Sequence, residues 1–377
     1  MTGYRALRST EKRSPAPWQR IYMLTAPRTT SAPRLARRIL LWACAMAVLP
    51  AAGCMVNPVT LQQQFNVVSE SREISIGRNA HTQIVEYFGY YHNPPLQRYV
   101  DRVGQKLVTI CKRNDIDYTF TVLDTDMVNA FALPGGYIYI TRGLLAMLNN
   151  EAEMAGVLAH EIGHVVGRDS AALMSQNMLA QVAVLAGAVG AASSGGGGDV
   201  AAASMQLFNA LMLGFSRERE YLADEQSVDY LFAAGYDPVR VRDFMLSLAQ
   251  IGQGPSGPQQ YMMTHPFIFD RIARIESRAK VVRAMQDTMG QLNSLPADTG
   301  TGFIGSDVYL NYIDGIAYGP RDDMRRLKLY AVRRGDTFAQ IARRNLGSAQ
   351  YAKELAILNG MPENAPLVPG ATIKVIH

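Results

Sequence analysis

The fold of this chain is indicated most clearly by one stretch, Asn150-Glu-Ala-Glu-Met-Ala-Gly-Val-Leu-Ala-His-Glu-Ile-Gly-His-Val165. An Asn followed three residues later by Glu153 is typical of a helix N-terminus. Residues four apart on a helix lie on one face, so His160 and His164 are expected to point toward a single metal ion. The spacing therefore predicts a metal-binding helix.

Zinc suits this helix because it takes imidazole and carboxylate ligands and leaves one position open for water. Glu161 is expected to project toward the same site as a catalytic base. Residue 170 is Ser rather than His, which excludes the metzincin ligand pattern. The better candidate for the third ligand is Glu220, which shares a helix face with Asp224, although Glu218 is an alternative.

The remainder of the chain reads as helix-rich with one small sheet, so the sequence predicts an α+β fold. The apolar stretches 178–192 and 200–215 are each too short for a membrane span, which needs about 20 residues. They are interpreted as two buried or surface-covering helices. A further helix is predicted over 93–108, and strands are predicted over 118–123 and 137–141.

The charge of the chain is unevenly distributed. Of its 377 residues, the first 38 hold nine Lys/Arg against one Glu, and residues 39–53 are uncharged. This order is typical of a secretory signal. Residues 54–377 carry 28 basic and 31 acidic side chains, so no nucleic-acid partner is expected. Cys54 follows small residues, as the lipidated Cys of a bacterial lipoprotein does, and a lipid anchor is predicted there, with plain cleavage or an uncleaved anchor as the alternatives.

Composition shifts divide the chain further. Residues 290–305 are rich in Gly, Pro and Ser/Thr, and the last 52 residues carry eight Lys/Arg against three Asp/Glu. The predicted organisation is a signal segment over 1–53, a metallopeptidase domain over 54–289, a linker over 290–325 and a small C-terminal domain over 326–377.

Four spaced motifs resemble the zinc metallopeptidase family that includes HtpX, the CAAX prenyl proteases and BepA, which are gluzincins. They are His160-Glu-Ile-Gly-His164, Ser216-Arg-x-x-Glu220-x-x-x-Asp224, Asn129-Ala-Phe-Ala-Leu-Pro-Gly-Gly136 with Gly143-Leu-Leu145, and Thr264-His-Pro266 with Arg271. The resemblance implies a mainly helical zincin-type domain with one zinc ion per chain. It implies that His160, His164 and Glu220 are the zinc ligands and that Glu161 is the catalytic base. It implies that Asp224 either supports a ligand by a hydrogen bond or donates a proton.

The resemblance also implies substrate contacts. In the family the segment that begins at Asn129 is an edge strand beside the zinc, to which an extended peptide can add through main-chain hydrogen bonds. An ordinary hairpin is the alternative. The implied contacts are Asn129, Ala130, Phe131, Ala132 and Arg271. His265 is implied to lie over the zinc, either in the open fourth position or as an oxyanion stabiliser.

The last 50 residues resemble a LysM domain, with the order strand, helix, helix, strand. The resemblance rests on Tyr330–Ala342, Asn359-Gly, Leu367-Val-Pro-Gly370 and Ile373–Ile376. It implies binding to the N-acetylglucosamine-containing glycan of peptidoglycan. A degenerate module kept for packing is the alternative, because the arginine pairs 333/334 and 343/344 are not diagnostic of sugar binding.

Together these features predict a zinc endopeptidase of the bacterial cell envelope that acts on misfolded or misassembled envelope proteins. The predicted location is the periplasm, with a lipid anchor in the outer membrane and peptidoglycan as a partner. Two alternatives are a peptidoglycan-anchored, chaperone-like binding protein with an idle zinc site and a lytic enzyme that cleaves peptidoglycan peptides.

Overall fold

The structure is a computed structural model that describes residues 54–187, 214–251, 259–292, 303–323 and 325–377. The predicted signal segment and most of the second apolar stretch lie outside these residues. The Gly/Pro-rich loop over 252–258 and residues 293–302 of the predicted linker do so as well. Residues 53–377 form one compact unit.

Helices dominate the described chain, which confirms the α+β prediction. The strands are β1 (Cys54–Val56), β2 (Gln63–Phe65), β3 (Thr119–Leu123), β4 (Ala130–Leu133), β5 (Tyr137–Thr141), β6 (Leu327–Ala331) and β7 (Thr372–Ile376). The first helices are α1 (Glu70–Phe88), α2 (Pro94–Val108), α3 (Arg142–Met147), α4 (Glu151–Val166), α5 (Asp169–Gly187) and α6 (Arg217–Ala233). They are followed by α7 (Arg240–Ile251), α8 (Gln259–Thr264), α9 (Ile268–Leu292), α10 (Ser306–Ile313), α11 (Phe338–Leu346) and α12 (Ala352–Leu358).

Helix α4 is the centre of the fold. The Asn150 side chain accepts a hydrogen bond from the Glu153 backbone N–H, as the capping pattern predicts. Every residue from Ala152 to Val166 is buried, so the helix has no solvent face. It packs against α6 and α7 on one side and against α2 and β4 on others. A helix enclosed in this way holds its side chains in fixed positions.

A three-stranded sheet lies beside α4 in the order β3-β5-β4. The β3 and β5 strands are parallel, with Thr119 opposite Tyr137, while β4 runs antiparallel to β5. Both strands that the sequence predicts are confirmed within one residue. In this sheet β4 is an edge strand, and it packs on α4 together with the central strand β5.

Among the helices of the described residues, none combines the length and the apolar character that a bilayer span requires.

The C-terminal residues form a two-stranded antiparallel sheet, β6 with β7, covered by α11 and α12. This is the predicted order of strand, helix, helix and strand. Within the range predicted as a linker, α10 buries Tyr309, Leu310 and Ile313 in the same core as α4. The C-terminal module therefore lies against the larger helical part.

Lys374 of β7 joins the two parts. Its Nζ donates hydrogen bonds to the carbonyl oxygens of Ala146 (2.8 Å), Met147 (3.1 Å) and Leu148 (2.8 Å), at the C-terminal end of α3. Burial lowers the pKa of the Lys374 ammonium to about 7, and the Glu153 carboxylate opposes this shift. The contact fixes the module next to the start of α4.

We expect Lys374→Met to lower the free energy of unfolding by about 3 kcal/mol, because it leaves three carbonyls and the buried Glu153 carboxylate without their cation. Urea denaturation followed by circular dichroism measures this difference. The matched control is Lys353→Met, since Lys353 is an exposed lysine of the same module. Equal midpoints for the two variants would show that the contact contributes no stability.

Candidate active site

Helix α4 brings the two predicted histidines together. Their Nε2 atoms lie 3.1 Å apart, and both side chains are almost fully buried. Glu161 is buried beside them, and neither of its carboxylate oxygens has a hydrogen-bond partner among the described residues. Since a buried carboxylate is costly unless something binds it, the position of Glu161 indicates room for a ligand or water.

Helix α6 supplies a carboxylate to the same point. Glu220 Oε1 lies 3.4 Å from His164 Nε2, and Glu220 Oε2 lies 3.5 Å from His160 Nε2. Glu218, which the sequence left open as an alternative, is exposed and does not face the histidines. The close approach of the two helices depends on Gly163, because a Cβ there would lie only 3.1 Å from the Ala223 Cα.

His265 completes the group. Its Nδ1 lies 3.3 Å from both His160 Nε2 and Glu220 Oε2, and its Nε2 lies 3.3 Å from the Ala130 carbonyl oxygen. One ligand atom from each of His160, His164, Glu220 and His265 can be chosen so that all four lie within 4.8 Å of one another. The structure thus brings residues that are 105 positions apart into one cluster.

These residues fit a zinc ion. Imidazole nitrogens and a carboxylate oxygen are the donors that zinc prefers, and all of them converge here inside the core. Glu220 Oε1 is also without a hydrogen-bond partner among the described residues, as an oxygen that binds a metal would be. Two imidazoles and Glu220 would hold the ion, and His265 is placed to be a fourth ligand.

Arg271 organises the carboxylates. It donates from Nε to Asp224 Oδ2 and from Nη2 to Asp224 Oδ1, both at 2.8 Å, and its Nη1 lies 2.8 Å from Glu220 Oε2. Asp224 Oδ1 in turn lies 3.0 Å from His160 Nδ1. The resemblance implied a substrate contact for Arg271. Its guanidinium is completely buried among these groups, and contact with a substrate stays a prediction.

Neighbouring charges in the site shift the pKa values of its carboxyl and imidazole groups. Burial alone would raise the pKa of the Glu220 and Asp224 carboxyls, but Arg271 holds both below their usual values. Burial alone would lower the pKa of His164, but its hydrogen bond to Asp169 and the nearby Glu220 carboxylate raise it to about 10. The carboxylates are therefore ionised, which is the form that binds a cation.

The segment predicted to contact substrate lies next to His265. Asn129 Oδ1 accepts a hydrogen bond from Thr264 Oγ1 at 3.1 Å, and Ala130 faces His265 as described above. Phe131 and Ala132 follow in β4, and all four residues are buried. Contact between these residues and a substrate stays a prediction.

Two residues of the site were missed by the sequence analysis. Asp169 Oδ2 lies 2.8 Å from His164 Nδ1, and Arg219 Nη1 donates to Asp169 Oδ1 at 2.6 Å. Arg168 has a left-handed backbone (φ 53°), and this turn after α4 places Asp169 beside His164. The only sequence signal for the role of Asp169 is that it lies five positions after the second histidine. This signal is weak because the turn between them cannot be inferred from spacing.

Asp169→Asn is expected to weaken zinc binding about tenfold, because a carboxylate that accepts from a ligating imidazole orients the ring and raises its basicity. Competition with a chelator of known affinity measures the dissociation constant. Asp229→Asn is the matched control, since Asp229 is a half-exposed carboxylate on α6 that pairs with Arg278. An unchanged zinc affinity in the Asp169 variant would remove this residue from the site.

Comparison with known proteins agrees with this geometry. Residues 94–279 match the sequence model of Peptidase family M48, and residues 330–375 match that of the LysM domain. A putative beta-barrel assembly-enhancing protease of Vibrio cholerae is 31% identical over 194 residues, which is 50% of this chain and 40% of that protein. The beta-barrel assembly-enhancing protease of Escherichia coli K12 is 29% identical over 199 residues, 52% of this chain and 41% of that protein.

A mitochondrial relative matches this chain over a larger share of its own length. The mitochondrial metalloendopeptidase OMA1 of Schizosaccharomyces pombe is 29% identical over 240 residues, 61% of this chain and 68% of that protein. This chain spans about two fifths of the length of the two bacterial proteases. Residues 94–279, which include His160, His164 and Glu220, thus form a domain of peptidase family M48, and residues 330–375 form a LysM domain.

Proposed function

We propose that this chain is a zinc-dependent endopeptidase of the bacterial cell envelope. The observation that carries the proposal is the buried Glu161 carboxylate. Its oxygens have no hydrogen-bond partner among the described residues, and its Oε1 lies 3.5 Å from His265 Nε2 in the cluster of possible zinc ligands. A protein that only bound peptides would gain nothing from a buried carboxylate without hydrogen bonds, which costs free energy. Metal-assisted peptide hydrolysis uses such a carboxylate as its base.

The mechanism follows from the positions of the side chains. When bound, zinc lowers the pKa of a coordinated water to about 7 and polarises the substrate carbonyl. Glu161 takes the proton from the attacking water and then passes it to the leaving amine. Arg271 and Asp224 keep His160 and Glu220 in place throughout, because their hydrogen bonds do not involve the substrate.

The proposed substrates are misfolded or misassembled envelope proteins. Support comes from the bacterial relatives, whose names describe them as beta-barrel assembly-enhancing proteases. The proposed location is the periplasm, which suits both these relatives and a LysM domain. In this proposal the C-terminal module binds the glycan of peptidoglycan. An outer-membrane anchor on Cys54 stays a prediction.

Glu161→Gln should retain zinc and lose casein cleavage, because the amide cannot accept the proton although the ligands are intact.

Glu220→Ala should lose zinc as well as activity, because one of the three proposed protein ligands is gone. Zinc content by mass spectrometry and casein turnover measure the two effects separately.

The same assay tests the alternative substrates. Muropeptides in place of casein distinguish a peptidase that acts on proteins from one that acts on peptidoglycan peptides. Full turnover of casein by Glu161→Gln would contradict the proposed base, and full zinc occupancy with full activity in Glu220→Ala would contradict the ligand assignment.

We further propose that His265 occupies the fourth zinc position in the resting enzyme. Its Nδ1 already lies close to Glu220 and His160, which supports this role. His265→Ala should then raise basal casein cleavage, because water regains the position. If His265 instead stabilises the oxyanion, kcat should fall by about 10²–10³. Unchanged kcat, KM and zinc affinity would defeat both roles.

A further inference from the structure

Three of the four arginines in the two arginine pairs of the C-terminal module meet at one pocket. Its volume is about 470 Å³. We call it the arginine pocket, and it is lined by Arg334, Gly335, Asp336, Gln340, Arg343 and Arg344. The pairs lie ten positions apart in the sequence, so only the fold shows that they share a surface.

Local structure explains why they meet. The turn that contains Gly335 (φ 83°) comes directly before α11. Gln340, Arg343 and Arg344 are three and four positions apart, so they lie on the same face of the helix. Arg344 Nη2 donates to Asp336 Oδ1 at 3.1 Å, which ties the turn to this face.

The pocket has more positive charge than its own acid can neutralise. Asp336 Oδ2 already accepts from the Tyr330 hydroxyl (2.7 Å) and the Arg333 backbone N–H (2.8 Å), and Oδ1 accepts from Arg344. Arg334 and Arg343 are exposed, and no carboxylate among the described residues pairs with either. Two guanidinium groups are thus free to bind an anion from outside the chain.

We propose that the arginine pocket binds carboxylate groups on the peptide stems of peptidoglycan. A guanidinium presents a planar fork of donors that matches a carboxylate, so two of them can engage two stem carboxylates. The inference rests on the proposed association of the module with peptidoglycan, and it adds an ionic contact to the neutral glycan contacts expected of a LysM domain.

The surface of the module argues against an anionic membrane as the ligand. An amphipathic surface that binds lipid by itself presents apolar side chains that enter the interface as well as basic ones. Among the described residues of the module, Val368 is the only large apolar side chain that is strongly exposed. A hydrated polymer that carries carboxylates fits this polar surface better.

The test uses the full chain with the double substitution Arg334→Gln/Arg343→Gln. Both side chains are exposed and unpaired, so the fold should be kept. Co-sedimentation with purified peptidoglycan sacculi should show an affinity about tenfold lower than that of the unsubstituted chain, and the difference should shrink as salt is added. Binding to a neutral N-acetylglucosamine oligomer should be unchanged.

The control is Lys328→Gln/Lys353→Gln, which removes the same charge from exposed positions outside the pocket. It should lower binding to sacculi less than twofold. An equal loss in both double variants would overturn the proposal, because it would show general charge attraction.

Three other results would also overturn it. In the first, the arginine variant binds sacculi as well as the unsubstituted chain does, and the proposed glycan binding still stands. In the second, tight binding to vesicles of anionic phospholipid is lost in the arginine variant, which makes lipid phosphate the ligand. In the third, the unsubstituted chain binds neither sacculi nor the oligomer, and the proposed function of the module falls as well.

Discussion

A completely buried arginine between two buried carboxylates is the interaction on which the site depends. Arg271 reaches from α9 to Asp224 and Glu220 on α6, and Asp224 reaches on to His160 of α4. Removing either sign of charge would leave the other unpaired in a medium of low dielectric constant, which costs several kcal/mol. The three helices are therefore held in one arrangement by charge balance as well as by apolar packing. This arrangement is what brings the two imidazoles and a carboxylate to one point.

The site retains buried polar atoms that lack hydrogen bonds. Both Glu161 oxygens and Glu220 Oε1 are buried without hydrogen-bond partners among the described residues, whereas most buried polar groups in proteins are hydrogen-bonded. Such a cost persists only where the surrounding packing outweighs it, and α4 is enclosed on every side. The apolar packing around α4 thus supplies the stability that allows these buried carboxylates and imidazoles to lie together at the centre of the molecule. The charged pair of Asp169 with Arg219 extends the same network outward from His164.

The C-terminal module is attached by a second buried charge. Lys374 satisfies three carbonyls at the end of α3, directly before the link into α4. The composition of the chain predicts a separate unit joined by a linker, and the module does have its own sheet and helices. Composition cannot show that one lysine of this basic segment is buried against the neighbouring helix. The consequence is that the peptidoglycan-binding part in the proposed function is held in a fixed position relative to the active-site helix.

The sequence by itself determined the features that depend on local spacing. A four-residue interval places His160 and His164 on one helix face, and alternation of apolar residues marks the strands, because backbone geometry alone sets these periods. The pairing of Glu220 with Asp224 on one helix face favoured Glu220 over Glu218, but only the packing of α6 on α4 settled which acid faces the histidines. Tertiary structure also decided that Arg271 is buried beside both carboxylates, and that Arg334 lines one pocket with Arg343 and Arg344. These outcomes depend on the distances between elements, and those distances result from packing of the whole core rather than from any one segment.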